Sequence, residues 1–225
     1  MLNDILRSPS SWNESATRTV DVVLDLVGQT AAEGASVSVF AGTAGDLIYA
    51  TDELATEIDE LQFVLGEGPT VECFRRRHPQ VHHGGMKVHG THQWPTFAAD
   101  IAALDVRTVH AFPLAADSVP LGVLTLYGTS PQALTPRQEK NCTLYARSLV
   151  SCVLADLARV PYLATGPYGF SRADVHVASG ILAARHTISI EQALGSLQSQ
   201  AYTQQRRITT VAREIIANFT TAETT

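Results

Sequence analysis

Apolar positions recur three and four residues apart over 13–32, where Ala16, Val20, Val23, Leu24 and Val27 predict an amphipathic helix that Gly34 ends. The period then drops to two. SVSVFAG (36–42) alternates polar and apolar residues, AGD (44–46) reads as a turn, and LIYAT (47–51) reads as the returning strand. Residues 52–64 are acidic and predict a helix that LGEGP (65–69) breaks, and VECFRRR (71–77) predicts a short helix closed by Pro79. TVHAFPL (108–114) and LGVLTLY (121–127) predict two further strands joined through AADSVP.

Thr135-Pro136-Arg137-Gln138 is a helix start, with Thr as cap, Pro at the first helical position and Gln closing a capping box. The pattern runs on to about Val160. Val150, Val153, Leu157 and Val160 have heptad-like spacing, which fits either pairing with a second copy or packing on the sheet. Pro161, Gly166, Pro167 and Gly169 then mark a linker at 161–170. Three short helical patterns follow. Ser171 with Asp174 is the expected cap of the first, whose Val175, Ala178, Ile181 and Leu182 share a face. Ser189 with Gln192 caps the second, with Ile190, Ala193, Leu194, Leu197 and Ala201 inward. Ile208, Val211, Ala212, Ile215 and Phe219 give the third the same period.

These stripes are narrow, so the three helices should pack as one bundle. About 45 residues are marginal alone, so the bundle should lean on the preceding helix or on a dimer partner. The expectation is an α+β chain: a body at 13–160 including the long helix, a linker at 161–170, and a three-helix bundle at 171–219.

Composition narrows the class. The 225 residues are 45% hydrophobic and 17% charged with a mean hydropathy of +0.04, which excludes overall disorder. No run of about 18 uncharged apolar residues exists, and MLNDILRSPSSW lacks the apolar core of a signal peptide, so a cytoplasmic protein without a membrane partner is expected. Cys73, Cys142 and Cys152 are too few and too scattered for a disulfide framework or a CxxC metal knuckle. The net charge of −6 argues against a nucleic-acid coat over the whole chain, yet residues 1–170 carry net −7 and residues 171–219 net +2.

Enzyme signatures are missing, with no Walker loop, GxGxxG, GxSxG or HExxH, and no catalytic residue or cofactor is expected. His78, His82, His83, His89 and His92 crowd into 15 residues. Their spacing fits no ordered ligand set, and Gly84, Gly85 and Gly90 predict a solvated, flexible loop; a proton-sensitive loop is the other option. Cys73 lacks an evident base and reads as buried filler, as do Cys142 and Cys152. Glu67, between two glycines, reads as part of the loop's geometry.

Two resemblances follow from these residues. Ala178-x-Gly180-Ile181-Leu182, Arg185-His186, Ser189-x-x-x-Ala193-x-x-x-Leu197-x-x-x-Ala201 and Arg206-Arg207-Ile208-x-x-Val211-Ala212 resemble the ANTAR domain, a three-helix RNA-binding module of bacterial antitermination regulators. SVSVFAG, Leu65-Gly66-Glu67-Gly68-Pro69, Trp94-Pro95-x-Phe97 and FPL…LGVLTLY resemble a GAF domain, an antiparallel sheet backed by helices with a pocket on one face. The chain departs from the ANTAR pattern at Ser179 (commonly Lys), Ala183 (Met), Gln198 (Arg) and Gln205 (Asn).

The resemblance implies an antiterminator in which a homodimer presents two bundles to tandem RNA stem-loops. The GAF-like body would sense a small molecule. Cations bind phosphates and aromatic rings stack on unpaired bases, so Arg185, His186, Tyr202, Arg206 and Arg207 are the candidate RNA-binding residues, with the four cations forming one positive surface. Without the family, the same groups read as a solvated charged face. The departures also favour a second reading, a small-molecule or redox sensor whose bundle makes protein contacts and binds no RNA.

Overall fold

The computed structural model describes residues 18–42, 44–84, 93–159 and 172–222. The chain runs α1 (Thr19–Gly28), β1 (Gly34–Ala41), β2 (Ala44–Ala50), α2 (Glu53–Leu65), α3 (Pro69–Arg76), β3 (Gln80–His83), α4 (Pro95–Ala103), β4 (Thr108–Ala116), β5 (Val119–Gly128) and α5 (Pro136–Arg159). Three more helices follow: α6 (Ala173–His186), α7 (Ile190–Gln204) and α8 (Ile208–Ala222). The strands form one antiparallel sheet in the order β2-β1-β5-β4-β3. The expected α+β class holds.

Strand alternation gives the sheet two unlike faces. Val37, Val39, Phe112, Leu114, Leu124 and Leu126 meet Val22, Val23 and Leu26 of α1 and Cys142, Tyr145, Ala146, Leu149, Val150 and Val153 of α5 in one apolar core. Val150 and Val153 are thus spent inside the body and Leu157 packs on the same core, so the packing alternative describes the heptad-like stretch. Val160 lies outside the described residues. The capping box that opens α5 is present, with Thr135 N–H donating to Gln138 Oε1 at 2.9 Å and Gln138 N–H to Thr135 Oγ1 at 3.3 Å. Asp156 near its far end accepts from Thr19 N–H at 2.9 Å and so caps α1.

The opposite face carries apolar and polar groups side by side: Val109 and Tyr127 pack with Ile58, Phe97 and Ile101, Ala111 and Val123 pack with Cys73, and a set of polar pairs lies among them. Ser38 donates to Asp59 of α2, Thr125 is hydrogen-bonded to Thr70 of α3 at 2.8 Å, and the Tyr127 phenol donates to Asp52 at 2.9 Å. Asp52 also caps α2 by accepting from Ala55 N–H at 2.8 Å.

LGEGP is the joint of this layer. Gly66 ends α2 at φ 63°, and Gly68 sits at φ 127° where a Cβ would lie 2.7 Å from Gln62. Glu67 then caps α4, accepting from Thr96 and Phe97 N–H at 2.9 and 2.8 Å. The LGEGP and Trp94-Pro95-x-Phe97 motifs are therefore two halves of one structural device.

Three readings change here. The hairpin turn precedes AGD, which already belongs to β2, because Ala44, Gly45 and Asp46 pair with Ala41, Phe40 and Val39. Residues 80–83 form edge strand β3, not a loop, because Gln80, Val81, His82 and His83 pair with Ala111, His110, Val109 and Thr108. The helix at 95–103 was not read from the sequence, although Pro95 at its first turn and buried Phe97 and Ile101, four apart, were its signal. His89 and His92, the 161–170 linker and the Ser171 cap lie outside the described residues; Arg172 is the N-cap of α6 and makes no side-chain capping bond.

The three-helix bundle forms as expected. Val175, Ala178, Leu194, Leu197, Ala201, Ile208, Val211 and Ala212 make its core, and Ser189 and Gln192 close the box that starts α7. Ile190 departs from the expectation and is 62% exposed, because the first helical turn lies at the rim. The support also differs. Phe63 and Val64 of α2 enter the bundle core, so the bundle leans chiefly on the body's second helix.

Candidate nucleic-acid interface and its junction with the body

Both α6 and α8 begin at Glu60. Its carboxylate accepts from Arg172 Nη2 at 3.3 Å and from Ile208 N–H at 3.4 Å. Arg206 and Arg207 precede Ile208 directly, so they lie at that end of the bundle. Arg185 and His186 close α6, about 20 Å further along at 1.5 Å per residue. The four cations therefore do not form one positive surface, since the up-down-up path of three helices puts them at opposite ends.

Arg185, His186 and Arg207 are exposed. Arg206 is bound to Glu214, Nη1 donating to Oε2 at 3.1 Å, and also to Gln204 at 3.2 Å. The Glu214 side chain raises the Arg206 pKa, but such an exposed pair is worth little in water. Tyr202 is 45% exposed. Its phenol donates to Asp100 of α4 at 3.3 Å, and the negative charge of Asp100 raises its pKa. A ring proposed to stack on RNA thus touches the body through its hydroxyl and is otherwise largely exposed.

The junction itself centres on Arg172, which in the sequence counts only as one more charge. It is 2% exposed. Nη2 donates to Asp59 at 2.7 Å, Nη1 donates to the Gly45 carbonyl at 2.9 Å, and the guanidinium lies 3.9 Å from the centre of the Phe63 ring. Burial alone acts to lower the Arg172 pKa, but Asp59 and Glu60 together outweigh it and hold the charge more firmly than usual. Asp46 accepts from Arg172 N–H at 3.2 Å and pairs with His176 Nε2 at 2.9 Å.

One of the departures from the ANTAR pattern, Gln198, also lies in this contact. Gln198 donates to the Phe63 carbonyl at 2.7 Å, adding a second donor to a carbonyl in the last turn of α2 that already accepts from Gly66 N–H. Ser179 is buried, and its hydroxyl has no hydrogen-bond partner among the described residues; Arg172 Nε shares that condition. For Arg172, which lies in the contact, such a group costs about 1–3 kcal/mol and offsets part of what docking gains. Gln205 occupies the left-handed cap of α7 at φ 51°, a conformation that Asn adopts more readily.

A cavity of about 210 Å³ opens at this junction. Ser38, Phe40, Asp59, Gln62, Phe63, Thr70, Val71 and Arg75 line it from the body, and Arg172, Glu191, Leu194 and Gln198 from the bundle.

The remaining sequence candidates are placed as follows. Cys73 is fully buried against Ala111 and Val123, and burial pushes its thiol up to about 12, which disqualifies it as a nucleophile at neutral pH. Cys142 is pushed up to about 12 for the same reason, and with Cys152 it fills the apolar core. His82 lies edge-on to Phe97 and His83 edge-on to His110, with centroids 5.4 and 5.5 Å apart, while His78 is exposed. Among the described residues, no three His, Cys, Asp or Glu side chains gather as a metal-ligand set, and no helix is long and apolar enough to cross a membrane.

The comparisons with known proteins divide the chain as its geometry does. The family model for the GAF domain matches residues 13–150 and that for the ANTAR domain matches residues 171–216. No curated protein matches the chain. Among solved structures, the GAF domain of a phosphoenolpyruvate-protein phosphotransferase from Coxiella burnetii is similar at 16% identity and a TM-score of 0.51, covering 69% of this chain and 94% of that one. The GAF-B domain of DevS from Mycobacterium smegmatis shares 18% identity at a TM-score of 0.43, covering 65% and 98%. The GAF domain of a two-component sensor histidine kinase from Bacillus halodurans shares 11% at 0.45, covering 63% and 95%. At 16% identity the likeness to the Coxiella burnetii domain speaks to the fold of the sheet and its helices alone. The family match extends over more than half of the chain, from α1 through the LGEGP joint into α5, and the second match takes in the bundle that Arg172 fastens to it: the chain belongs to the GAF domain family and carries a C-terminal ANTAR domain.

Proposed function

We propose that this protein is a cytoplasmic transcription antiterminator, in which the GAF body senses a signal and governs RNA binding by the ANTAR bundle. The observation that carries the reading is the ANTAR match over 171–216 on a bundle with exposed cations. Arg185, His186, Arg206 and Arg207 contact phosphates and Tyr202 stacks on an unpaired base. With the two cationic ends about 20 Å apart along α6, the target is an extended element such as tandem stem-loops rather than a single small loop. Holding that RNA fold denies the chain to a competing terminator hairpin. Two bundles act together in a homodimer, and exposed Leu24, Leu144 and Leu154 on α1 and α5 favour a partner copy there.

The docked arrangement supplies the control. Undocking frees the Tyr202 hydroxyl from Asp100 and α7 from α2, so a signal that biases docking by a few kcal/mol changes the RNA-competent population strongly. A second reading rests on Gln198: its amide serves the contact with α2, and a bundle specialised for protein contact would use that position in this way.

A gel-shift titration against a two-stem-loop RNA pool at two salt concentrations separates the readings. Saturable, salt-steep binding that Arg206→Ala/Arg207→Ala loses supports antitermination. Absence of binding even by a variant with a released bundle leaves the protein-contact reading in place.

A further inference from the structure

The cavity at the junction has a charge pattern that selects its occupant. Inside it the polar groups are already engaged with each other: Ser38 donates to Asp59, Gln62 Oε1 accepts from Thr70 N–H at 2.7 Å, and the Thr70 hydroxyl is bound to Thr125. Arg172 and Asp59 neutralise one another at 2.7 Å. Those groups offer a ligand few free hydrogen bonds, and Phe40, Phe63, Val71 and Leu194 supply apolar walls.

The remaining charges are Arg75 and Glu191, both exposed, of opposite sign and on opposite units. Arg75 pairs with Glu72 on its own helix at 3.0 Å, and among the described residues no ion pair joins Arg75 to Glu191. Each already has a partner on or beside its own helix, Glu72 for Arg75 and Ser189 for Glu191, and a molecule carrying both charges would engage the two at once.

Size narrows the class further. About 210 Å³ is below the roughly 300–1,000 Å³ of sites for drug-sized ligands, which suits a molecule smaller than a nucleotide or a tetrapyrrole.

We propose that this junction cavity binds a small zwitterion with a short apolar tail, of the size and chemistry of an aliphatic α-amino acid. Its carboxylate meets Arg75, its ammonium meets Glu191, and its tail enters between Phe40, Phe63, Val71 and Leu194. Because the walls come from both units, the bound molecule favours the docked arrangement. This rests on the reading of the body as a sensor, and it specifies what is sensed.

Isothermal titration calorimetry of the full chain with L-leucine, in the absence of RNA, tests it. The expected result is saturable binding tighter than about 1 mM, weakened at least tenfold in Arg75→Gln and in Glu191→Gln. Both side chains are surface groups, so both variants should fold, and far-ultraviolet circular dichroism checks this. 3-Methylbutylamine and 4-methylpentanoate, which each keep one charge, should bind at least tenfold more weakly than L-leucine. L-methionine and L-phenylalanine map the depth of the tail site. Failure of all three amino acids to bind overturns the proposal, as does L-leucine binding that both variants retain or that a single-charge analogue matches. Binding of L-leucine that leaves RNA affinity unchanged supports the site and counts against its sensory coupling, so the two readings fail separately.

Discussion

The two faces of the sheet solve different problems with the same alternation of side chains. On the α1 and α5 side, Val37, Leu124, Leu126, Leu149 and Val153 pack against one another and exclude water, and nothing there needs a partner outside the body. On the α2 side, Ser38, Asp59, Gln62, Thr70 and Thr125 hold a hydrogen-bonded layer that is completed only when Arg172 arrives from the bundle. The first face fixes the fold. The second has its own apolar packing around Ile58, Phe97 and Cys73, and Asp59 is the group there that exchanges Arg172 for water when the bundle leaves.

Removing one residue from each face should separate these roles most sharply. Arg172→Ala leaves Asp59, 4% exposed, facing a void; breaking a buried pair this way costs about 3–5 kcal/mol. Undocking relieves that cost by hydrating Asp59, so the expected outcome is a released bundle on a body of nearly unchanged stability. Small-angle scattering should report the expansion, and RNA affinity should rise. Leu149→Ala is the converse. It should lower global stability by about 2–5 kcal/mol in a denaturant melt while leaving RNA affinity of the folded protein alone. A compact Arg172→Ala protein would break the comparison.

The body's β4 carries one inconsistent member. His110 is 3% exposed, and neither ring nitrogen has a hydrogen-bond partner among the described residues. Burial, with a smaller contribution from His83, lowers its pKa from 6.5 to about 4. The unfolded chain therefore binds the extra proton between those values. Stability should be full above about pH 6.5, fall as the pH drops, and level off below about 4, with a total loss on the order of 3 kcal/mol. His110→Leu should flatten this part of a stability profile measured by denaturant melts across pH. An unchanged acid slope would assign it to other groups.

How much of this was legible follows the same division. The apolar face was written chiefly in the strands, since the periods of SVSVFAG and LGVLTLY follow directly from burying one side of a strand, whereas on α1 the buried positions are Val22, Val23 and Leu26 and the expected Leu24 is 52% exposed. The polar pairs of the α2 face were not, because Asp59, Gln62 and Thr70 carry no period and acquire meaning only from partners 8 to 113 residues away. Arg172 was invisible for that reason. β3 was missed because four residues are too few to show alternation, and its pairing is made by main-chain groups. For the proposed RNA residues, the sequence supplied identities and spacing but not position, so it could not separate Arg185 from Arg206 along the bundle.

A smaller effect tests whether the LGEGP joint belongs to the α2 face. Glu67 accepts two N–H groups at the start of α4, so Glu67→Ala should cost about 1 kcal/mol, as for other lost helix caps. Because α4 also carries Asp100, the partner of Tyr202, the variant should loosen that end of α7 in hydrogen exchange. A loss of stability without such a change would confine Glu67 to the body.

The gentlest perturbation of the α2 face is a proton. His176 on α6 pairs with Asp46 on β2 at 2.9 Å, and that hydrogen bond is the main reason its pKa is raised, with burial and the Arg172 charge opposing. Its partner exists only in the docked arrangement, so docking takes up a proton. The contribution is complete below the ordinary histidine value of about 6.5 and fades as the pH rises through the higher docked value. The side chain is 38% exposed, so solvent screens the pair and the effect should be smaller than that of Glu67→Ala. RNA affinity measured from pH 6 to 8 at constant salt should therefore rise modestly toward alkaline pH. Asp46→Asn should remove that slope, because a neutral amide no longer favours the imidazolium. A slope that survives in Asp46→Asn would place the titrating group on the RNA-facing surface instead, and would make the bundle rather than the junction the pH-dependent element.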